Sequence, residues 1–183
     1  MKFCIDWFIG YCLKNDIISE HQTPWLQYGM EKRLSTIIGF IPFSPLAALL
    51  SDWGSAFWFI GGFCTLRNWI NGYHAKTQWG CILASLGTEL LFLVGLYPIL
   101  TPLYAIILGL VCIVILLLAP PYNHPNIHLS HDEINVLKVC NRHRVILMSG
   151  ILTISCIAQL DSIVKGLTTG IAMATYMLCC TLR

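Results

Sequence analysis

The run Pro102-Leu-Tyr-Ala-Ile-Ile-Leu-Gly-Leu-Val-Cys-Ile-Val-Ile-Leu-Leu-Leu-Ala119 contains no charged side chain. As an α-helix it would be about 27 Å long, close to the roughly 30 Å hydrocarbon thickness of a bilayer. Five further apolar runs lie near Leu34–Leu50, Trp53–Leu66, Gly80–Tyr97, Val145–Leu160 and Ile163–Cys180. A spanning helix needs about 17 to 25 apolar residues. The second and fifth runs are short by that measure, so they either recruit neighbours or do not cross fully. Composition agrees with the pattern. Of 183 residues, 56% are hydrophobic and 11% charged, whereas soluble domains carry about 25% charged residues. This balance excludes an ordinary soluble domain. A net charge of +2 gives no reason to expect nucleic acid as a partner.

Charge placement orders the runs. Lys2, Lys14, Lys32 and Arg33 precede the first run, Arg67 and Lys76 follow the second, Lys138, Arg142 and Arg144 separate the fourth from the fifth, and Arg183 ends the chain. The alternate connections, at Asp52, Tyr97–Pro102 and Asp161–Lys165, are poor in cations. Basic loops face the cytoplasm, so both termini are expected there. Phe3–Leu13 is too short to span, is interrupted by Asp6 and Gly10, and reads as an interfacial helix. Asp6 also interrupts what would be the apolar core of a cleavable signal peptide. The expected fold is therefore an all-α polytopic membrane protein with about six transmembrane helices and an N-terminal interfacial helix. Residues 1–183 read as one integral-membrane domain, with 1–33 the cytoplasmic or interfacial N-terminal segment and 34–183 the bundle.

Several polar or small residues call for a reading. Pro120 and Pro121 end the fourth helix because they cannot continue its hydrogen-bond ladder. Asp132–Arg144 can form an amphipathic cytoplasmic helix. Gly166, Gly170 and Ala174 make a small-residue face, compatible with a homodimer or with packing inside the chain. Of nine cysteines, Cys64, Cys112, Cys156, Cys179 and Cys180 lie in or at the ends of apolar runs, where cysteine packs as a small hydrophobe. The adjacent Cys179 and Cys180 could also be acylated.

The chemistry concentrates in the polar island Arg67-Asn-Trp-Ile-Asn-Gly-Tyr-His-Ala-Lys-Thr-Gln-Trp-Gly-Cys81. His74 and Cys81 would lie about 10.5 Å apart along one unbroken helix, so a working pair requires a bend. Gly72 and Gly80 allow one. Cys81 then opens the third span. The free N–H groups of a helix start favour a thiolate and can hold an oxyanion. His74 can accept the thiol proton and return it to a leaving amine. Other readings of the pair are a structural histidine and a metal pair. A zinc site wants four ligands, or three and water; His124, His128 and His131 could contribute, but the neighbouring prolines speak for solvated loop residues, and no metal or other cofactor is expected. Arg67 is either a membrane-border anchor or a guanidinium fork for substrate carboxylates. Glu89 lies mid-span, where an unpaired charge is costly, and reads as a structural or substrate-binding residue.

The string Arg67…Asn-Gly-Tyr-His-Ala…Cys81 resembles the accessory gene regulator B (AgrB) family, bacterial membrane cysteine endopeptidases that process quorum-sensing propeptides. Gln27-Tyr-Gly-Met-Glu-Lys-Arg33 and Leu118-Ala-Pro-Pro-Tyr-Asn-His-Pro-Asn126 extend the likeness over nearly the whole chain. Asn71 stands where family members often have the first of two glycines. The resemblance implies Cys81 and His74 as catalytic residues, with Arg67 matching the family's arginine. It implies an AgrD-like propeptide as substrate, cut before its acidic tail and closed into a thiolactone or lactone, with the site on the cytoplasmic face of the bacterial cell membrane. The rival readings are a small peptide or ion transporter, which would place polar residues along several spans, and a non-catalytic scaffold, which would leave the island unexplained.

Overall fold

The computed structural model describes residues 2–15, 17–19, 23, 26–27, 30, 43–70, 78–119 and 131–181. Every regular element among them is helical: α1 (Lys2–Lys14), α2 (Trp53–Ile70), α3 (Gln78–Leu90), α4 (Pro102–Leu118), α5 (His131–Ile157) and α6 (Asp161–Thr181). Residues 43–50 are helical as well. The chain divides into two compact units, Met1–Pro42 and Phe43–Arg183.

In the first unit, α1 carries Ile5, Ile9 and Cys12 on one buried face. Trp7 and Tyr11 stack on the exposed face with ring centroids 6.2 Å apart. A helix is thus present over the Phe3–Leu13 run, as expected. The first apolar run is described only from residue 43 on; its earlier part lies outside the described residues.

The second unit is built around α6. Val164, Leu167, Ile171, Met173, Ala174 and Leu178 are all buried, and α2, α4 and α5 pack against this helix. The contact with α2 is the most extensive, and small residues set it. A methyl group added at Gly166 would meet the Ser55 carbonyl oxygen and come within 2.8 Å of Ser55 Cα. One added at Gly170 would meet the Phe59 carbonyl oxygen and come within 3.0 Å of Phe63 N. The two backbones therefore touch, and the small-residue face serves packing within the chain. Gly62 on α2 reciprocates, accepting Leu167. On the α4 side, Thr168 Oγ1 donates to the Ala105 carbonyl at 3.2 Å, and Gly109 makes room for Leu152 and Thr168.

The outward surface is apolar. Leu103, Ile107, Leu110, Val111 and Val114 on α4, and Ile146, Leu147, Ile154 and Ile157 on α5, are exposed. So wide an apolar exterior suits lipid rather than water. Two segments, Ile82–Ile99 and Asp161–Cys180, are each long and apolar enough to cross a membrane, and Pro102–Leu118 is a shorter apolar helix.

Local chemistry explains the helix ends. Asp52 caps α2, accepting the Ser55 N–H on Oδ1 at 2.9 Å. Thr101 caps α4, accepting the Tyr104 N–H at 3.3 Å, with Pro102 at the first helical position. Ala119, next to Pro120, is already extended (ψ 132°), as a residue preceding proline should be. Asn141 on α5 is buried and donates to the Leu116 carbonyl at 3.3 Å, covering an orphan carbonyl of the last α4 turn. At the end of α5, Gln159 takes a left-handed φ of 55°. Leu160 N bonds Ser155 O at 2.9 Å and Gln159 N bonds Cys156 O at 3.2 Å, the paired bonds of a Schellman cap. The chain then turns straight into α6.

Two features differ from the sequence reading. The amphipathic segment Asp132–Arg144 and the fifth run form one continuous helix, α5, rather than two. The second run reaches Ile70 by absorbing Arg67 and its neighbours, which supplies the length the apolar residues alone lack.

The three cation-poor connections meet at one end of the bundle. Ser55 Oγ lies 2.6 Å from Asp52 Oδ2 and 2.9 Å from the Ser162 carbonyl. Tyr97 OH lies 2.9 Å from Ser55 Oγ and 3.0 Å from Asp52 Oδ2. Two hydroxyl protons serve four contacts, so each hydroxyl chooses between acceptors. This cluster joins the start of α2, the far end of the α3 span and the start of α6. Arg67, Cys81 and the α5 segment bearing Lys138, Arg142 and Arg144 consequently lie toward the other end.

Two outcomes test this packing. Gly170→Ala should destabilise the protein by about 1–3 kcal/mol, the usual cost of overpacking. Gly150→Ala, with nothing within 4 Å of the added carbon, should be neutral or stabilising by up to about 1 kcal/mol. Thermal unfolding in detergent separates the two. The hydrogen bonds from the Ser55 hydroxyl and N–H hold the Asp52 carboxyl below its usual range, at about 2 against 3.8. A depressed carboxyl stabilises the fold above its unfolded value and loses that contribution as pH falls. The stability gap between wild type and Asp52→Asn should therefore be constant above about pH 4 and shrink between pH 3.8 and about 2.

Candidate functional site

Residues 71–77, which include His74, Asn71 and Gly72, lie outside the described residues. They fall between α2, which ends at Ile70, and α3, which begins at Gln78. Cys81 belongs to the first turn of α3, directly after Gly80; its side chain is outside what the structure describes. A residue in this position sits among the N–H groups that have no partner within the helix. There the backbone dipole favours negative charge.

Arg67 is half-buried in the last turn of α2, where a cation complements the carbonyl end of the helix. It lies one turn beyond Cys64. Glu89 lies on α3, eight residues after Cys81, or about 12 Å of helix rise. It is fully buried, at 0% exposure, and among the described residues neither carboxyl oxygen has a hydrogen-bond partner. Cys64 is within electrostatic reach of both Arg67 and Glu89. The Cys64 thiol thus feels both a guanidinium one turn along its own helix and a carboxyl group on α3.

The sequence reading treated Cys64 as a packing residue. Nothing in the local pattern could have marked it, because its polar neighbours come from one turn of its own helix and from a separate helix. The helix type around Glu89 was equally hidden. Two residues after Glu89, α3 widens into a π-helix over Leu91–Leu96 and then tightens into a 3-10 turn over Tyr97–Ile99. Such π segments occur often at functional sites. Pro98, which has no N–H, is the one local signal for a disturbed ladder. The ring of Phe92 meets Tyr176 of α6 at 5.7 Å, anchoring the widened turn to the central helix.

Among the described residues, no group of three His, Cys, Asp or Glu side chains could hold a metal ion. His124 and His128 lie outside the described residues, and His131 opens α5. An open groove of about 330 Å³ is lined by Leu96, Ile99, Leu100, Tyr104, Ile107 and Val111. Its walls are almost wholly aliphatic, and it lies toward the opposite end of the α3 span from Cys81, so it offers nothing for covalent chemistry.

Residues 5–182 match the model of the family described as Accessory gene regulator B. Neither the curated proteins nor the solved structures contain a match to this chain. With a family match over essentially its whole length and helices fit to cross a bilayer, the chain belongs to the accessory gene regulator B family and is a membrane protein of the agr quorum-sensing system.

Proposed function

We propose that this protein is a membrane-embedded cysteine endopeptidase that removes the C-terminal tail of an AgrD-like propeptide and closes the remainder into a thiolactone or lactone. Cys81 is the nucleophile, His74 its acid–base partner, and Arg67 and Glu89 contact the substrate. The observation that carries this reading is the place of Cys81 in the first turn of α3, within a chain that matches the family from residue 5 to 182. Exposed N–H groups at that turn favour the thiolate and offer donors for a developing oxyanion. The half-buried Arg67 in the last turn of the preceding helix supports the reading as a guanidinium able to pair with an acidic tail.

The reaction follows from these roles. The Cys81 thiolate adds to the carbonyl before the tail. The tetrahedral intermediate collapses, the C–N bond breaks, and imidazolium His74 gives its proton to the departing amine. The tail leaves, and the rest of the peptide stays on Cys81 as a thioester. The substrate's internal thiol or hydroxyl gives its proton to the now neutral His74 and attacks the same carbonyl. Cys81 is released as thiolate and the ring closes. Ring closure competes with hydrolysis, so the site must exclude water and orient the internal nucleophile.

The same reading takes the chain as one integral-membrane domain of about six spans. The cation-poor end joined by Asp52, Ser55, Tyr97 and Ser162 faces outward, and both termini and the Cys81 end face the cytoplasm. The partners are the propeptide, the lipid bilayer and a second copy of the chain as a homodimer.

Co-expression with the propeptide tests the assignment. Cys81→Ala should abolish tail release, and His74→Ala should slow it by about 10²–10⁴-fold, the usual worth of a positioned acid–base group. Undiminished release from Cys81→Ala would refute the enzyme reading.

A further inference from the structure

Glu89 is an anomaly in an apolar helix. It is completely covered by protein, yet among the described residues both of its carboxyl oxygens lack a hydrogen-bond partner. Buried polar groups are nearly always paired, and leaving a carboxyl group orphaned inside a membrane protein is costly. Several other buried polar side chains of the neighbouring helices are supplied from within: Ser55 by Asp52 and Ser162, Thr168 by Ala105, Thr169 by Lys165 and Thr175 by Ile171, while Asn141 makes one bond and leaves only its Oδ1 without one. Cys64, within electrostatic reach of Glu89, is a weak donor and makes no hydrogen bond to it among the described residues. Directly beyond, the helix widens over Leu91–Leu96, so the backbone around the carboxyl group departs from a tightly closed rod.

A peptide drawn among these helices brings the converse problem. Its backbone N–H groups lose water and find no acceptors on aliphatic walls, at a cost of several kcal/mol each. Reach decides which N–H meets the carboxyl group. Glu89 lies about 12 Å of helix rise from Cys81, and an extended chain covers about 3.3–3.6 Å per residue. A peptide whose scissile carbonyl sits at Cys81 and which runs along α3 therefore passes Glu89 three to four residues away. An acidic tail is repelled by a carboxyl group and must leave. The acyl portion must instead be held on the enzyme until its ring closes.

We propose that Glu89 is a substrate-positioning residue: it accepts a hydrogen bond from a backbone N–H of the propeptide three to four residues N-terminal to the scissile bond. This rests on the endopeptidase reading above. In this role Glu89 holds the acyl portion after the tail has gone, and so favours ring closure over hydrolysis.

The experiment is a cycle between enzyme and substrate in proteoliposomes with synthetic propeptide. In the substrate, single amide-to-ester replacements remove one N–H at a time. In the enzyme, Glu89→Leu removes the acceptor and Glu89→Gln keeps one. One ester position, three or four residues before the cut, should raise KM about fivefold to tenfold with wild type, as expected for one hydrogen bond. Glu89→Leu should raise KM similarly, raise the share of linear hydrolysed product, and be indifferent to that same ester. Glu89→Gln should keep the wild-type ester profile. If the ester and Glu89→Leu penalties multiply, or no ester at those positions raises KM, the proposal is overturned. Should Glu89→Leu fail to fold, the ester scan on wild type and Glu89→Gln still decides by the position of its penalty. Because every arm requires Cys81-dependent cleavage, a failure confined to the ester profile removes the role of Glu89 alone. Cleavage that persists in Cys81→Ala removes the enzyme reading itself.

Discussion

The bundle depends on two glycines that let helices touch without side chains between them. At Gly166 and Gly170 the backbone of α6 rests on the backbone of α2 near Ser55, Phe59 and Phe63. Helices in lipid gain nothing from expelling water between them, so close van der Waals packing has to hold them together. Once α2 is seated on α6, its two ends have fixed tasks. Its first turn ties Asp52 and Ser55 to Ser162 and Tyr97, which brings the end of the α3 span to the same place. Its last turn then carries Cys64 and Arg67 toward the opposite end, where α3 begins.

That arrangement separates two kinds of polar residue. At one end, Asp52, Ser55, Tyr97 and the Ser162 carbonyl form a shared network in which two hydroxyl protons serve several acceptors, as expected of a structural clasp. Along α3, Glu89 has neither oxygen hydrogen-bonded among the described residues. A buried carboxyl group left so calls for an explanation, and the proposed one is a substrate N–H.

Much of the fold was legible in the sequence because lipid imposes a simple rule on the chain. The apolar run Pro102–Ala119 and the prolines after it gave α4 to within a residue, and the spacing of Gly166, Gly170 and Ala174 marked the contact face of α6. The same pattern left open whether that face met a second copy or a neighbour in the chain, because a small-residue stripe does not encode its partner; the partner proved to be α2. Charge alternation placed Asp52, Tyr97 and Ser162 on one side, and their hydrogen bonds bring them together. The continuity of α5 was not legible: Asp132–Arg144 is polar and Val145–Leu160 apolar, and a change of solvent along a helix resembles a boundary between two elements. The π turn after Glu89 was hidden for a different reason, since Gly95 is the single strong helix-weakening residue in Leu91–Leu96 and a lone glycine does not encode a change of helix type. Of the candidate site, the helix positions of Arg67, Cys81 and Glu89 were legible from the sequence, whereas the electrostatic influence of Glu89 on Cys64 arises from the tertiary fold.

The most direct test of the central claim is to look for the covalent link itself. Purified protein would be incubated with a propeptide whose internal nucleophile is replaced by alanine, quenched in acid, and analysed by intact and peptide-level mass spectrometry. The account predicts an adduct of propeptide mass less its tail, located on the Cys81 peptide and released by neutral hydroxylamine, as a thioester should be. Tail release without any such adduct, or an adduct on a different residue, would contradict it.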